Sequence, residues 1–169
     1  MALTDSGKEQ EDSSDSVSDR LITAEMAADP SDYTVAADNS IEIQSVETLG
    51  HYAEWLDLRT SQLRSITGMR YGRALVIGHR LKLDFPRVEP AEFERRRLAY
   101  QFDLQQSFFM IWQIRCTHKH IIAPGESLWV LTQRQFKQPM WLLRQYNPDL
   151  DLDKLHPGTV IEIPELVDV

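Results

Sequence analysis

The sequence predicts an α+β protein: two small strand–helix–helix–strand modules joined by a long amphipathic helix and an extra strand, preceded by a disordered acidic tail. Three observations carry this. The first is an internal repeat: Glu47-Thr48-Leu49 lines up with Glu126-Ser127-Leu128 at an offset of 79, and Leu75-Val76-Ile77-Gly78 with Leu155-His156-Pro157-Gly158 at an offset of 80, so one inserted residue separates two otherwise parallel segments. The second is charge. The net charge of −8 comes from 26 acidic and 18 basic residues, and residues 1–39 hold ten of the acids with only Lys8 and Arg20 against them, so the remainder is neutral. The third is the stretch from 89 to 109, whose large apolar side chains fall on two opposed sides of a helix.

The tail comes first. Asp, Ser, Glu and Ala dominate residues 1–39, with too few large apolar groups to offset the entropy of ordering. A short helix over Leu21 to Ala28 is the most structure expected of it, and removing residues 1–38 is expected to leave the melting temperature nearly unchanged.

Residues 40–86 form the first module. Ile41 and Ile43 alternate with Glu42 and Gln44 as a strand does. Thr48 is placed to cap a helix carrying Tyr52, Ala53, Trp55 and Leu56. A second short helix around Ser61 to Ile66 turns Leu63 and Ile66 inward, and Thr67-Gly68-Met69 breaks it. Arg80-Leu81-Lys82-Leu83 alternates as the closing strand, and Pro86 ends it.

Residues 87–117 connect. Pro90 suits the first turn of the long helix. Phe93, Tyr100, Leu104 and Phe108 share one side, and Leu98, Phe102 and Phe109 lie nearly opposite, so the helix needs cover on both sides: from the two modules, or from a further protein. Arg95-Arg96-Arg97 stands beside Glu89, Glu92 and Glu94, which reads as a solvated, salt-bridged face rather than a phosphate site. From Met110 the period becomes two, with Trp112, Ile114 and Cys116 on the inner face of a half-buried strand.

Residues 118–165 form the second module. His120-Ile121-Ile122 is strand-like, and Pro124-Gly125 turns the chain. Ser127 caps a helix with Leu128, Val130, Leu131 and Phe136. Pro139 opens a second helix with Leu142, Leu143 and Tyr146, which Asn147-Pro148-Asp149 stops. His156-Pro157-Gly158 leads into the strand Val160–Ile163, closed by Pro164.

Composition removes several functions. The acidic balance excludes a nucleic-acid binder of the basic kind. One cysteine, Cys116, excludes an internal disulfide and a four-cysteine zinc site. No run approaches the ~20 apolar residues of a membrane span, and the first 25 residues lack the apolar core of a secretory signal. No nucleophile elbow, phosphate loop or metalloprotease helix occurs. Glu126 and Asp149 are a conceivable carboxylate pair, but their loops belong to a module too small to enclose a sugar ring, and neither has an apolar pocket to raise its pKa. Cys116, His118 and His120 share a strand face, with no evident fourth ligand, so no metal site is expected. The chain reads as a non-enzyme without cofactors.

HIIAPGESLWVLTQRQF, then LLRQYNPDL and LHPGTVIEIP, strongly resemble the lysin motif, LysM, over residues 120–164. The first copy, roughly 41–83, resembles a degenerate version in which Val46, Thr67, Gly68 and Ile77 replace the motif's Gly, Asn, Pro and Pro. The resemblance implies a βααβ fold with antiparallel strands and both helices on one face of the sheet. It implies non-catalytic binding of N-acetylglucosamine-containing glycan, peptidoglycan foremost, for cell-wall targeting or scaffolding. The sugar groove would run between Gly125, Glu126, Ser127 and Leu128 on one side and Asn147, Pro148, Asp149 and Leu150 on the other. Loops at helix ends suit a neutral amidosugar, because they present unpaired backbone groups. The second copy is expected to carry the binding, and the first to be structural. The alternative is an assembly adaptor that meets a protein partner through the first copy and the connecting helix. LysM resemblance favours the cell envelope, periplasm or cell surface; the polar N-terminus favours the cytoplasm, or an internal or mature fragment.

Overall fold

The computed structural model describes residues 28–152 and 154–169. Most of the expected tail, including its short helix over Leu21 to Ala28 except for Ala28 itself, lies outside the described residues. The chain begins with a 3₁₀ turn, Pro30–Tyr33, followed by β1 (Ser40–Glu42), α1 (Leu49–Trp55), α2 (Thr60–Thr67) and β2 (Arg80–Lys82). The long helix α3 (Pro90–Phe109) leads to β3 (Trp112–Ile121), α4 (Leu128–Val130), α5 (Met140–Tyr146) and β4 (Val160–Asp168). The architecture is α+β, with two separate antiparallel pairs, β1 with β2 and β3 with β4.

The first module closes as its pattern predicts. Thr48 caps α1, its hydroxyl accepting from the His51 amide while His51 Nδ1 accepts from the Thr48 amide. Gly68 ends α2 at φ +70°, a left-handed position that costs glycine little. Ile41 and Leu81 of the strands, with Ile43 and Leu83 just beyond their ends, share a core with Tyr52, Leu56 and Leu63. Ile66, expected inward, is exposed, and of the two only Leu63 reaches the core.

In the second module the helix after Ser127 has one α-helical turn and then widens into a π-helical stretch, Leu131–Phe136, ended by Lys137 at φ +51°. Its core gathers Ile122, Leu128, Leu131, Leu143, Ile161 and Ile163. β3 runs unbroken across residues 117 and 118, so the module's first strand and the connecting strand are one element. β4 does not stop at Pro164 but continues to Asp168, with Pro164 opposite Thr117. A two-stranded ribbon has a free edge on each strand, where a missing N–H breaks no ladder bond. A register shift between Ile114 and Cys116 ends the expected alternation, so Trp112 and Ile114 are half-buried while Cys116 is exposed.

α3 lies between the modules. Its N-terminal half gives Phe93 to the first core, where the ring packs 5.9 Å from Trp55. Its C-terminal half gives Phe108 and Phe109 to Trp141 of α5, at 5.3 and 5.8 Å. The most buried seam is Phe93, Arg97, Gln101 and Gln105, one helical turn apart and mostly polar. Arg95 and Arg96 pair with Glu92 at the surface as expected, but Arg97 is fully buried, a correction to the solvated reading of the triplet.

The tail reading also changes for residues 28–39. Tyr33 is 2% exposed and packs with Ala28, Trp141 and Leu142 beside α3. Asp29 caps its 3₁₀ turn, and the amides of Ala28 and Val35 donate to Gln105 and Glu94 of α3. One large ring in a preformed cleft outweighs a polar composition that averages over the whole tail.

Candidate functional site

The loop before α4 is built on a tight turn. Gly125 sits at φ +80°, and the Glu126 amide donates to Ala123 O at 3.1 Å. The Glu126 carboxylate folds back to accept from the Ala123 amide at 2.8 Å and lies 3.0 Å from His120 Nε2. The Ala123 amide, with help from His120, holds the Glu126 carboxyl below the usual range. The His120 ring is itself held edge-on to Phe136 at 5.4 Å. Gly125, Glu126 and Ser127 are exposed, and Ser127 sits at the N-cap position without a capping bond, which leaves its hydroxyl available. Leu128 points into the core.

The opposite loop divides similarly. Asn147 is buried and its amide is spent internally: Nδ2 donates to Leu143 O and Glu162 O, and Oδ1 accepts from the Glu162 amide, all at 2.8 Å. It ties the end of α5 to β4. Pro148 and Asp149 are exposed, and Leu150 rests on the same core as Leu128. Of the eight expected sugar-facing residues, Gly125, Glu126, Ser127, Pro148 and Asp149 present themselves to solvent. Leu128, Leu150 and Asn147 support the two loops from beneath. Asn147, Pro148 and Leu150 line a cleft of about 410 Å³, closed by Asp29, Asp32, Glu42, Trp141 and Arg144; the 125–128 loop does not line it. Burial pushes the Asp32 carboxyl up there. Arg144 bonds Glu42 across the modules at 3.1 Å.

The first module repeats the turn and hydrogen-bond pattern of this loop. Val46 takes the left-handed position at φ +63°, and Glu47 folds its carboxylate back to the Gln44 amide at 3.3 Å. Ile43 exchanges bonds with Gly78 and His79 at 2.8 and 2.9 Å, as Ile122 does with Gly158 and Thr159 at 2.7 and 2.9 Å. The surroundings differ. Arg97 donates twice to the Glu47 carboxylate, at 2.8 and 2.7 Å, Gln101 once at 2.8 Å and the Tyr52 hydroxyl once at 2.5 Å. Tyr100 donates to Val46 O at 3.1 Å. Helix α3 thus takes up the groups that this loop offers. Sequence reasoning missed Arg97 and Gln101 because a buried polar seam carries no hydrophobic period; the one available signal was the i, i+4 spacing from Phe93.

Acid–base chemistry finds no support in these groups. Glu126 is made more acidic, the opposite of what a general acid at neutral pH needs. Cys116 donates to Glu165 at 2.9 Å, and that carboxylate pushes the thiol up, away from a reactive thiolate. Among the described residues no group of three or more His, Cys, Asp or Glu side chains is disposed to hold a metal, and no helix is long and apolar enough to cross a membrane.

Comparison with family models matches residues 120–164 to the LysM domain. No curated protein matches the chain significantly.

Proposed function

On the premise that residues 120–164 are a LysM domain, we propose that the chain is a non-catalytic reader of peptidoglycan that targets or scaffolds at the cell envelope. LysM domains bind N-acetylglucosamine-containing glycans such as peptidoglycan and are generally non-catalytic. The observation that carries the reading is the contrast between two loops of the same backbone shape. The loop at Gly125–Ser127 is open to solvent, while its counterpart at Val46–Glu47 is filled by Arg97, Tyr100 and Gln101 of α3. The first module is a degenerate copy of the same motif that serves as a clamp for α3. Glycan is met by Gly125, Glu126 and Ser127 from one side and by Pro148 and Asp149 from the other.

A shallow, solvent-exposed site desolvates few groups, so single-module affinity is weak and avidity along a polymer supplies the rest. Co-sedimentation with purified murein sacculi tests the reading. Retention on sacculi supports it; full recovery in the soluble fraction argues instead for the adaptor role.

A further inference from the structure

A second groove opens beside Trp141, between Ser45, Val46 and Ile77 of the first module and Trp129, Gln133 and Met140 of the second. It holds about 240 Å³, below the ~300–1,000 Å³ of a drug-sized site. None of its lining residues carries a charge, unlike the neighbouring cleft, which Asp29, Asp32, Glu42, Asp151 and Arg144 line. Trp129 and Val46 stand at its walls, 54% and 58% exposed, and Ser45 and Gln133 add a hydroxyl and an amide. Trp129 is only two residues beyond Ser127, so one wall of the groove stands on the helix that the glycan loop opens.

We propose that this inter-module groove is an extension subsite that takes one further N-acetylglucosamine ring of the strand held at Gly125–Ser127. The proposal rests on the glycan reading of the second module. An uncharged wall suits a neutral amidosugar, because a charged occupant would lose hydration without a partner. The half-exposed indole offers a flat apolar face for the ring, and Val46 a contact for the N-acetyl methyl. Ser45 and Gln133 meet hydroxyls at the rim. The size of the groove limits it to one ring. The first module would then contribute to binding through the outer face of its loop, although the inner face is filled by α3.

The test is NMR titration of the full chain with N-acetylglucosamine dimer and hexamer. The dimer should shift the amides of residues 125–127; the hexamer should shift these and also the Trp129 indole and the Val46 methyls. Trp129→Ala should weaken the hexamer about tenfold and the dimer far less, with Trp129→Phe restoring most of the loss. Hexamer shifts at residues 125–127 without any at Trp129 and Val46 would overturn the subsite while leaving the glycan reading intact. So would an equal loss for dimer and hexamer in Trp129→Ala. An apolar peptide that moves Trp129 when the hexamer does not would give the groove to a protein instead. Absence of any shift at residues 125–127 with either sugar would overturn the parent reading, and the subsite with it.

Discussion

Arg97 and Glu47, fifty residues apart, form an ion pair at 2.7 Å with both side chains wholly buried. The Tyr33 and Tyr52 rings lie 5.7 and 5.9 Å from the guanidinium, and Gln101 and Tyr52 complete the carboxylate's bonds. The pair fastens α3 to the loop that the second module leaves open. Removing one partner strands the other charge without water, so Arg97→Met should cost about 3–5 kcal/mol. Adding Glu47→Gln should recover part of it. Urea unfolding of the single and double variants measures both; independent, additive losses would contradict the pairing.

Tyr52 and Tyr33 carry a linked pH dependence. Burial raises both hydroxyls far above the ordinary 10 of tyrosine, with carboxylates, Glu47 for Tyr52 and Asp32 for Tyr33, adding to the shift. A raised folded value means a stabilising contribution that is complete below the unfolded value and lost as pH climbs toward the folded one. Stability should therefore fall above about pH 10. Absorbance titration of tyrosinate should show two of the five tyrosines ionising only on unfolding. Normal titration of all five in the folded chain would contradict the burial.

Glu126 works in the opposite sense. Its carboxyl is lowered from 4.5 by the Ala123 amide and His120, so the turn is complete above that value and loosens as pH falls through the lowered one. The Ala123 amide resonance should titrate with Glu126 in that acidic range. An Ala123 shift independent of pH below 4.5 would remove the bond.

Val46 occupies a left-handed position that a β-branched residue enters at a cost of roughly 1–2 kcal/mol. Val46→Gly should stabilise the protein by about 1 kcal/mol, since the relief exceeds the added chain entropy of glycine. The reciprocal Gly125→Val should destabilise by a similar amount and abolish sugar shifts at residues 125–127. Chemical denaturation with NMR reads both.

Both strand–helix–helix–strand orders, the long helix and the turns were legible because each rests on local signals: the Thr48 cap, the Gly68 stop, the alternation at Ile41 and Ile43. What was hidden depends on distant partners. Tyr33 is the one aromatic ring in residues 1–39, and its partners Trp141 and Leu142 lie more than 100 residues away in the sequence. Arg97 looked solvated because its carboxylate lies fifty residues away. Of the candidate site, the two loops were legible from the resemblance of residues 120–164 to LysM. The division of their residues into exposed and supporting was not, because Asn147 finds all its partners in α5 and β4. Deleting residues 1–38 should now lower the melting temperature clearly, since Tyr33 leaves a core position worth ~1.5–3 kcal/mol. An unchanged melting temperature would restore the tail reading for the whole segment.

We propose that the second module carries the glycan site, while α3 fills the corresponding loop of the first. Chemical-shift mapping of the full chain with N-acetylglucosamine oligomers tests it most directly. Perturbations are expected at Gly125, Glu126, Ser127, Pro148 and Asp149, with the buried side-chain resonances of Glu47 and Gln101 unmoved. Perturbations centred on Glu47 and its neighbours in α1, or none at residues 125–127 and 148–149, would contradict it.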